Sequence, residues 1–169
     1  MPTLVKRKEI VLFLDTTPTD ETETWGLYGN KSTSATYTYN PSSTSETYIV
    51  DENATVTLDS YNITIDGNMK CYHGDAIYDF INGLRYNLAT GDSAKTTALL
   101  VDKYDFTGDG DSASFKAQTF ECTISVESYG GEGGVTPTIT FTIGLNGTPK
   151  NGTVTFSGNV PNFTEEVVY

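Results

Sequence analysis

Residues 74–88 read GDAIYDFINGLRYNL, and the fold turns on them. Ile77, Phe80, Ile81, Leu84 and Leu88 recur at spacings of three and four, so a helix over 74–88 gathers them into one apolar stripe. Asp75 falls in the first turn, where a carboxylate suits the positive end of the helix dipole. Arg85 lies near the other end, and Gly91 is placed to stop the run. Almost everything else reads as strand or turn. A lone helix with one oily face needs a sheet to cover, so Ile77, Phe80, Ile81 and Leu84 are expected to pack on one.

Downstream the period changes from 3.6 to two. Residues 97–104 form a strand rich in Leu and Val. Phe120, Cys122, Ile124 and Val126 make the inner face of a long strand, with Glu121, Thr123, Ser125 and Glu127 opposite. Residues 130–134, GGEGG, are a flexible turn. Ile139, Phe141, Ile143 and Leu145 then alternate with threonines, Asn146-Gly147 is read as a turn, and Val154 and Phe156 carry a last strand. These strands make an antiparallel meander with one apolar and one polar face.

Upstream, residues 10–14, IVLFL, read as a buried first strand. Residues 15–47 are polar and broken by Gly, Pro and Ser, with Trp25, Tyr28, Tyr37 and Tyr39 set among them. They are expected to be a long arm. Val56 and Leu58 alternate in one phase and Tyr61, Ile63 and Ile65 in the other, so Asp59-Ser60 marks a bulge or tight turn. Gly67-Asn68 is read as a turn, and residues 159–169 as a tail.

Composition narrows the classes of function. At 169 residues one domain, 1–169, is expected. The net charge of -12 argues against passive binding to nucleic acid or anionic membrane. Cys71 and Cys122 are too few for a disulfide framework and are expected to be reduced and mostly buried. No stretch has the apolar length of a membrane helix. The run at 10–14 is too short for a signal peptide's hydrophobic region, and no small-residue cleavage site follows it.

Chemistry is sparse. His73 is the single histidine, so neither a His-based nucleophile nor a multi-His metal site can be built on it alone. Residues 105–111, DFTGDGD, have acids at calcium-loop spacing, but the twelfth position is Lys116 where the loop needs a bidentate Glu. Asp75 with Asp79, and Glu121 with Glu127, are carboxylate pairs on which nothing else converges. The glycine run at 130–134 has no following helix to hold a phosphate. No catalytic residue, metal or cofactor is expected.

Taken in order, residues 61–156 resemble the major tail tube proteins of long-tailed bacteriophages. The features are a strand ending at Gly74-Asp75, a short amphipathic helix ending near Asn82-Gly83, and a Leu-rich strand at 99–104 before an acidic loop. The long strand SFKAQTFECTISVESY at 114–129, a glycine loop, a Thr/Ile/Phe strand, and Gly147 and Gly152 about the last turn complete the pattern. The resemblance implies an antiparallel β-sandwich or half-barrel with one flanking helix and no catalytic residues. It implies subunits that close hexameric rings and stack into a hollow tube in the virion tail, with DNA only in transit. Tape measure, tail terminator and baseplate or tip proteins are the implied partners, and the host cytoplasm the place of synthesis. In that setting Trp25, Tyr28, Tyr37 and Tyr39 are candidates for a subunit interface, and Glu121 and Glu127 for the lumen wall.

A second reading is a secreted β-sandwich, a carbohydrate-binding or adhesin-like module, with the same four aromatics stacking on sugars. The missing signal peptide and the helix between strands stand against it.

Overall fold

The computed structural model describes residues 2–166. Its elements in chain order are β1 (Ile10–Asp15), β2 (Trp25–Tyr28), β3 (Ala35–Thr38), β4 (Pro41–Glu46), β5 (Thr55–Tyr61) and β6 (Thr64–Lys70). Then follow α1 (Ala76–Tyr86), β7 (Lys95–Thr107), β8 (Ser114–Gly130), β9 (Thr138–Ser157) and β10 (Val160–Glu165). One antiparallel sheet runs β2-β1-β7-β8-β9-β6-β3, with β10 also on β9, while β4 and β5 form a separate two-stranded ribbon. The fold is mainly β with one helix on one face of the sheet, as its periodicities predict.

Alternation along the strands divides the apolar residues between two faces. Leu12, Leu14, Ala98, Phe120, Cys122, Ile124, Ile139, Phe141 and Ile143 point to one side, and α1 covers them with Ile77, Tyr78 and Ile81. Phe13, Leu99, Val101, Ala117 and Val154 make a smaller cluster on the other side, ringed by Trp25, Phe115, Phe156 and Phe163. Strand β1 is therefore buried on both faces from Leu12 to Leu14. Gly26 in β2 lets the helix approach: a Cβ there would stand 2.7 Å from Ile77 Cδ1.

The helix is shorter than its apolar pattern. Asp75 is its N-cap, outside the first turn, and its carboxylate accepts from the N–H groups of Ile77 and Tyr78 at 3.1 Å each. Ile77 and Ile81 are fully buried, Phe80 and Leu84 only partly. Leu88 is not in the stripe. It takes a left-handed conformation (φ 49°) and is 83% exposed, while the Ala89 N–H returns to Leu84 O at 3.0 Å and the Leu88 N–H to Arg85 O at 3.2 Å. That is a Schellman termination with leucine where glycine is usual, so the helix stops before Gly91.

Two glycine pairs read as turns lie inside strands. Gly67-Asn68 sits within β6, opposite Phe141 and Thr140 of β9. Gly67 is small because the Phe141 ring lies over it, where a Cβ would meet Phe141 Cε2 at 2.7 Å and Tyr28 Oη at 2.9 Å. Asn146-Gly147 sits within β9, where residues 147–149 face the single residue 120 as the register shifts. The outcome is a bulge that bends one 20-residue strand, not a hairpin joining two.

The arm expected at 15–47 is mostly sheet. Strands β2 and β3 hold to β1 and β6 in registers such as Leu12 with Tyr28 and Tyr37 with Ile65. The loop before β2 is organised by buried Asp15, whose Oδ1 accepts from the N–H groups of Thr17 and Thr24, both at 3.0 Å. What projects instead is the β4–β5 hairpin, bulged at Asp59, with every residue of both strands exposed. Of the expected tail at 159–169, residues 160–165 form β10 on β9, and 167–169 lie outside the described residues.

Candidate assembly surfaces

Three surfaces carry the features that the monomer itself leaves unused. The first is the polar face of the sheet, on the side away from α1. The Thr142 hydroxyl stands 2.6 Å from Glu127 Oε1 and 3.2 Å from Asp66 Oδ1, so one proton is shared between carboxylates of β8 and β6. Asn146 Nδ2 donates to Thr123 Oγ1 at 2.9 Å. Glu121 lies 3.5 Å from Lys95 Nζ, which also meets Asp92 at 2.8 Å. Glu121 and Glu127 thus belong to separate groups, one paired to a cation and one facing another acid. Asp66 was not singled out in the sequence, because its nearness to Glu127 depends on β6 and β8 flanking β9.

The second surface is the hairpin. Asn40 (φ 42°) turns the chain out of β3, and its side chain donates to Asn62 O at 3.0 Å across the base. Tyr39 and Tyr61 pack edge to face there, with ring centroids 6.2 Å apart. Beyond β4 the tip carries Tyr48, Ile49 and Val50, all exposed.

The third is a groove of about 1270 Å³ between β1, β2 and the end of β9. Trp25, Leu27 and Phe156 line it together with Arg7, Lys8 and Lys103. Lys103 Nζ sits 4.4 Å from the centre of the Phe156 ring.

The four aromatics predicted for an interface do not act as one set. Trp25 borders the groove and Tyr39 is exposed at the hairpin base. Tyr28 is buried, its ring edge-on to Phe141 at 5.8 Å, so it is unavailable to a partner. Tyr37 is half-buried under the Arg7 guanidinium at 5.9 Å, and its hydroxyl has no hydrogen-bond partner. Burial pushes the Tyr37 phenol up to about 12. The four therefore make no flat platform for sugar rings.

His73 Nδ1 lies 2.9 Å from Asp79 Oδ1, and the other oxygen of Asp79 accepts from the Gly74 N–H at 3.0 Å. Both belong to the entry of α1. Asp105 is part of β7 and lies 3.6 Å from Lys116 Nζ. Among the described residues no three of His, Cys, Asp and Glu gather where a metal ion could sit. Cys71 and Cys122 are both free, Cys71 half-buried and Cys122 fully buried.

A single curled antiparallel sheet, one helix over its apolar face and one projecting hairpin constitute the fold of phage tail tube subunits. The chain is similar to the solved SPP1 tail tube, a hybrid structure from solid-state NMR and cryo-EM, with a TM-score of 0.65 at 13% identity over 88% of this chain and 78% of that one. It is also similar to the tail of an empty GTA particle, refined helically with C6 symmetry, with a TM-score of 0.57 at 12% identity over 85% of this chain and 96% of that one. No protein-family model matches the sequence, and no curated protein matches it either.

Proposed function

We propose that this chain is a tail tube subunit, which closes hexameric rings that stack into the hollow conduit of a virion tail. The observation that carries the reading is the likeness of fold to two tail structures over most of the chain, one of them refined with C6 symmetry. The two-faced sheet supports it. One face is sealed by α1, and the other offers hydroxyls and carboxylates suited to a wet wall.

In this reading the polar face lines the bore, with Asp66, Glu127 and Glu121 as its acids. Carboxylates there repel the phosphates of DNA in transit, which keeps the polymer from adhering. The exposed hairpin, Tyr39 and Trp25 meet neighbouring copies, where their apolar area leaves water. The role is structural and needs no cofactor. Tape measure, terminator and tip proteins are the further partners that the tail tube resemblance implies.

The test is to purify the chain, concentrate it, and examine it by light scattering and negative-stain microscopy. Rings or filaments with a central bore and sixfold averages are expected. A strictly monomeric protein at every concentration would overturn the proposal.

A further inference from the structure

We propose that the hairpin tip of one copy, residues 47–54, seats in the aromatic, cationic groove of a second copy. The inference rests on the tube reading, and it names the two surfaces that meet.

Three observations converge. First, the tip presents Tyr48, Ile49 and Val50 to solvent, and β4 and β5 beside it bury nothing in their own subunit. Three adjacent apolar side chains at the end of a ribbon are a surface in want of a partner. Second, the charges complement each other. No Lys or Arg occurs from residue 32 to residue 69, whereas Glu46, Asp51, Glu52, Asp59 and Asp66 do. The groove holds Arg7, Lys8 and Lys103, none of which is in an ion pair among the described residues. Lys95, Lys116 and Lys150 by contrast each meet a carboxylate. In a chain of net charge -12, three unpaired cations around one cavity form a local positive field. Third, the chemistry matches within the site. Trp25, Leu27 and Phe156 offer apolar area for Ile49 and Val50, and the cations at its border suit Asp51 and Glu52. Such pairs fix register and suppress wrong partners as well as adding affinity.

The experiment exchanges the charges. Asp51→Lys with Glu52→Lys reverses the tip, Lys8→Glu with Lys103→Glu reverses the groove, and a third protein carries all four changes. Circular dichroism confirms the fold in each. Each pair alone should raise the protein concentration needed for filaments about tenfold or more, and the four together should restore it. A second arm, in a Cys71→Ser background, pairs Ile49→Cys with Leu27→Cys and, as control, Ile49→Cys with Leu88→Cys beside the helix. Reducible cross-links between copies are expected for the first pair and not for the second. Filaments at the wild-type concentration from the tip-reversed protein, no recovery in the four-fold variant, or cross-linking to Leu88→Cys would each overturn the seating while wild-type filaments keep the tube reading. A wild-type protein that forms neither rings nor filaments and gives no cross-links overturns both.

Discussion

Tyr28 and Asn68 stand 40 positions apart in the chain and exchange two hydrogen bonds through one hydroxyl. The Asn68 N–H donates to Tyr28 Oη at 3.1 Å, and the hydroxyl reaches Asn68 O at 3.0 Å, Ser34 O at 3.0 Å and Ser32 Oγ at 2.6 Å. Tyr28 ends the edge strand β2, whereas Asn68 lies in β6 at the far side of the sheet order. A side chain thus takes the place of a ladder partner and draws the sheet into a half-barrel, with the Phe141 ring between.

Tyr28→Phe should keep the ring contact and lose this closure. It strands buried backbone groups of Asn68, so a loss of about 1–3 kcal/mol is expected in urea unfolding. An unchanged midpoint would mean that the curl is held elsewhere.

Leu88→Gly should stabilise the subunit. Leu88 is exposed and left-handed at the end of α1, a conformation costing roughly 1–2 kcal/mol for an L side chain. Thermal unfolding should shift upward, and a downward shift would give Leu88 a packing role not visible in the protomer.

Ile81→Ala should cost about 2–5 kcal/mol, because the side chain is fully buried between α1 and the sheet. Phe80→Ala should cost less than a fully buried phenylalanine would, since its ring is only partly covered. Equal losses at the two positions in chemical denaturation would refute this ranking.

Stability should fall on the alkaline side. Burial pushes the Cys122 thiol from an ordinary 9.0 to about 12, so the folded chain holds that proton more tightly than the unfolded one. The contribution is complete below about pH 9 and is lost as pH rises toward 12. Tyr37 adds a second loss that begins near 10. Cys122→Ala should lower the baseline yet flatten the dependence between about pH 9 and 10. A slope identical to that of the wild type would show that another group governs it.

Asp66→Lys with Glu127→Lys tests the bore. These residues share Thr142, free of the Lys95 contact that compensates Glu121. If the polar face lines the channel, tubes should still form while DNA delivery falls, and the defect should ease with salt as screening grows. Unchanged delivery by intact tubes would place the face elsewhere.

Much of the architecture was legible wherever period and burial coincide. Residues 120–126 and 139–145 alternate because one face is covered and the other wet, and the helical stripe at Ile77 and Ile81 follows the same logic. Glycine misled the reading where its service was spatial. Gly67 reads as a turn, but its missing Cβ makes room for the Phe141 ring, which lies 74 positions away in the chain. Strands β2 and β3 were hidden because four residues each carry little pattern, and their registers come from Leu12 and Ile65. The hairpin was masked by polar β-formers that bury nothing in the subunit. The groove was out of reach too, since Arg7 and Lys8 meet Lys103 only after β1 pairs with β7.

Strand β9 gives Ile139, Phe141 and Ile143 to the apolar cluster under the helix and, beyond its bulge, Val154 to the cluster on the opposite face. Neither cluster can come apart while the other keeps its central strand. Amide exchange should therefore show one cooperative unit spanning both faces, with protection along the whole of β9 lost in a single opening. A particle part that waits, sometimes for long periods, to conduct its cargo gains from this: partial opening has no stable resting place, so proteases meet either the intact subunit or almost nothing.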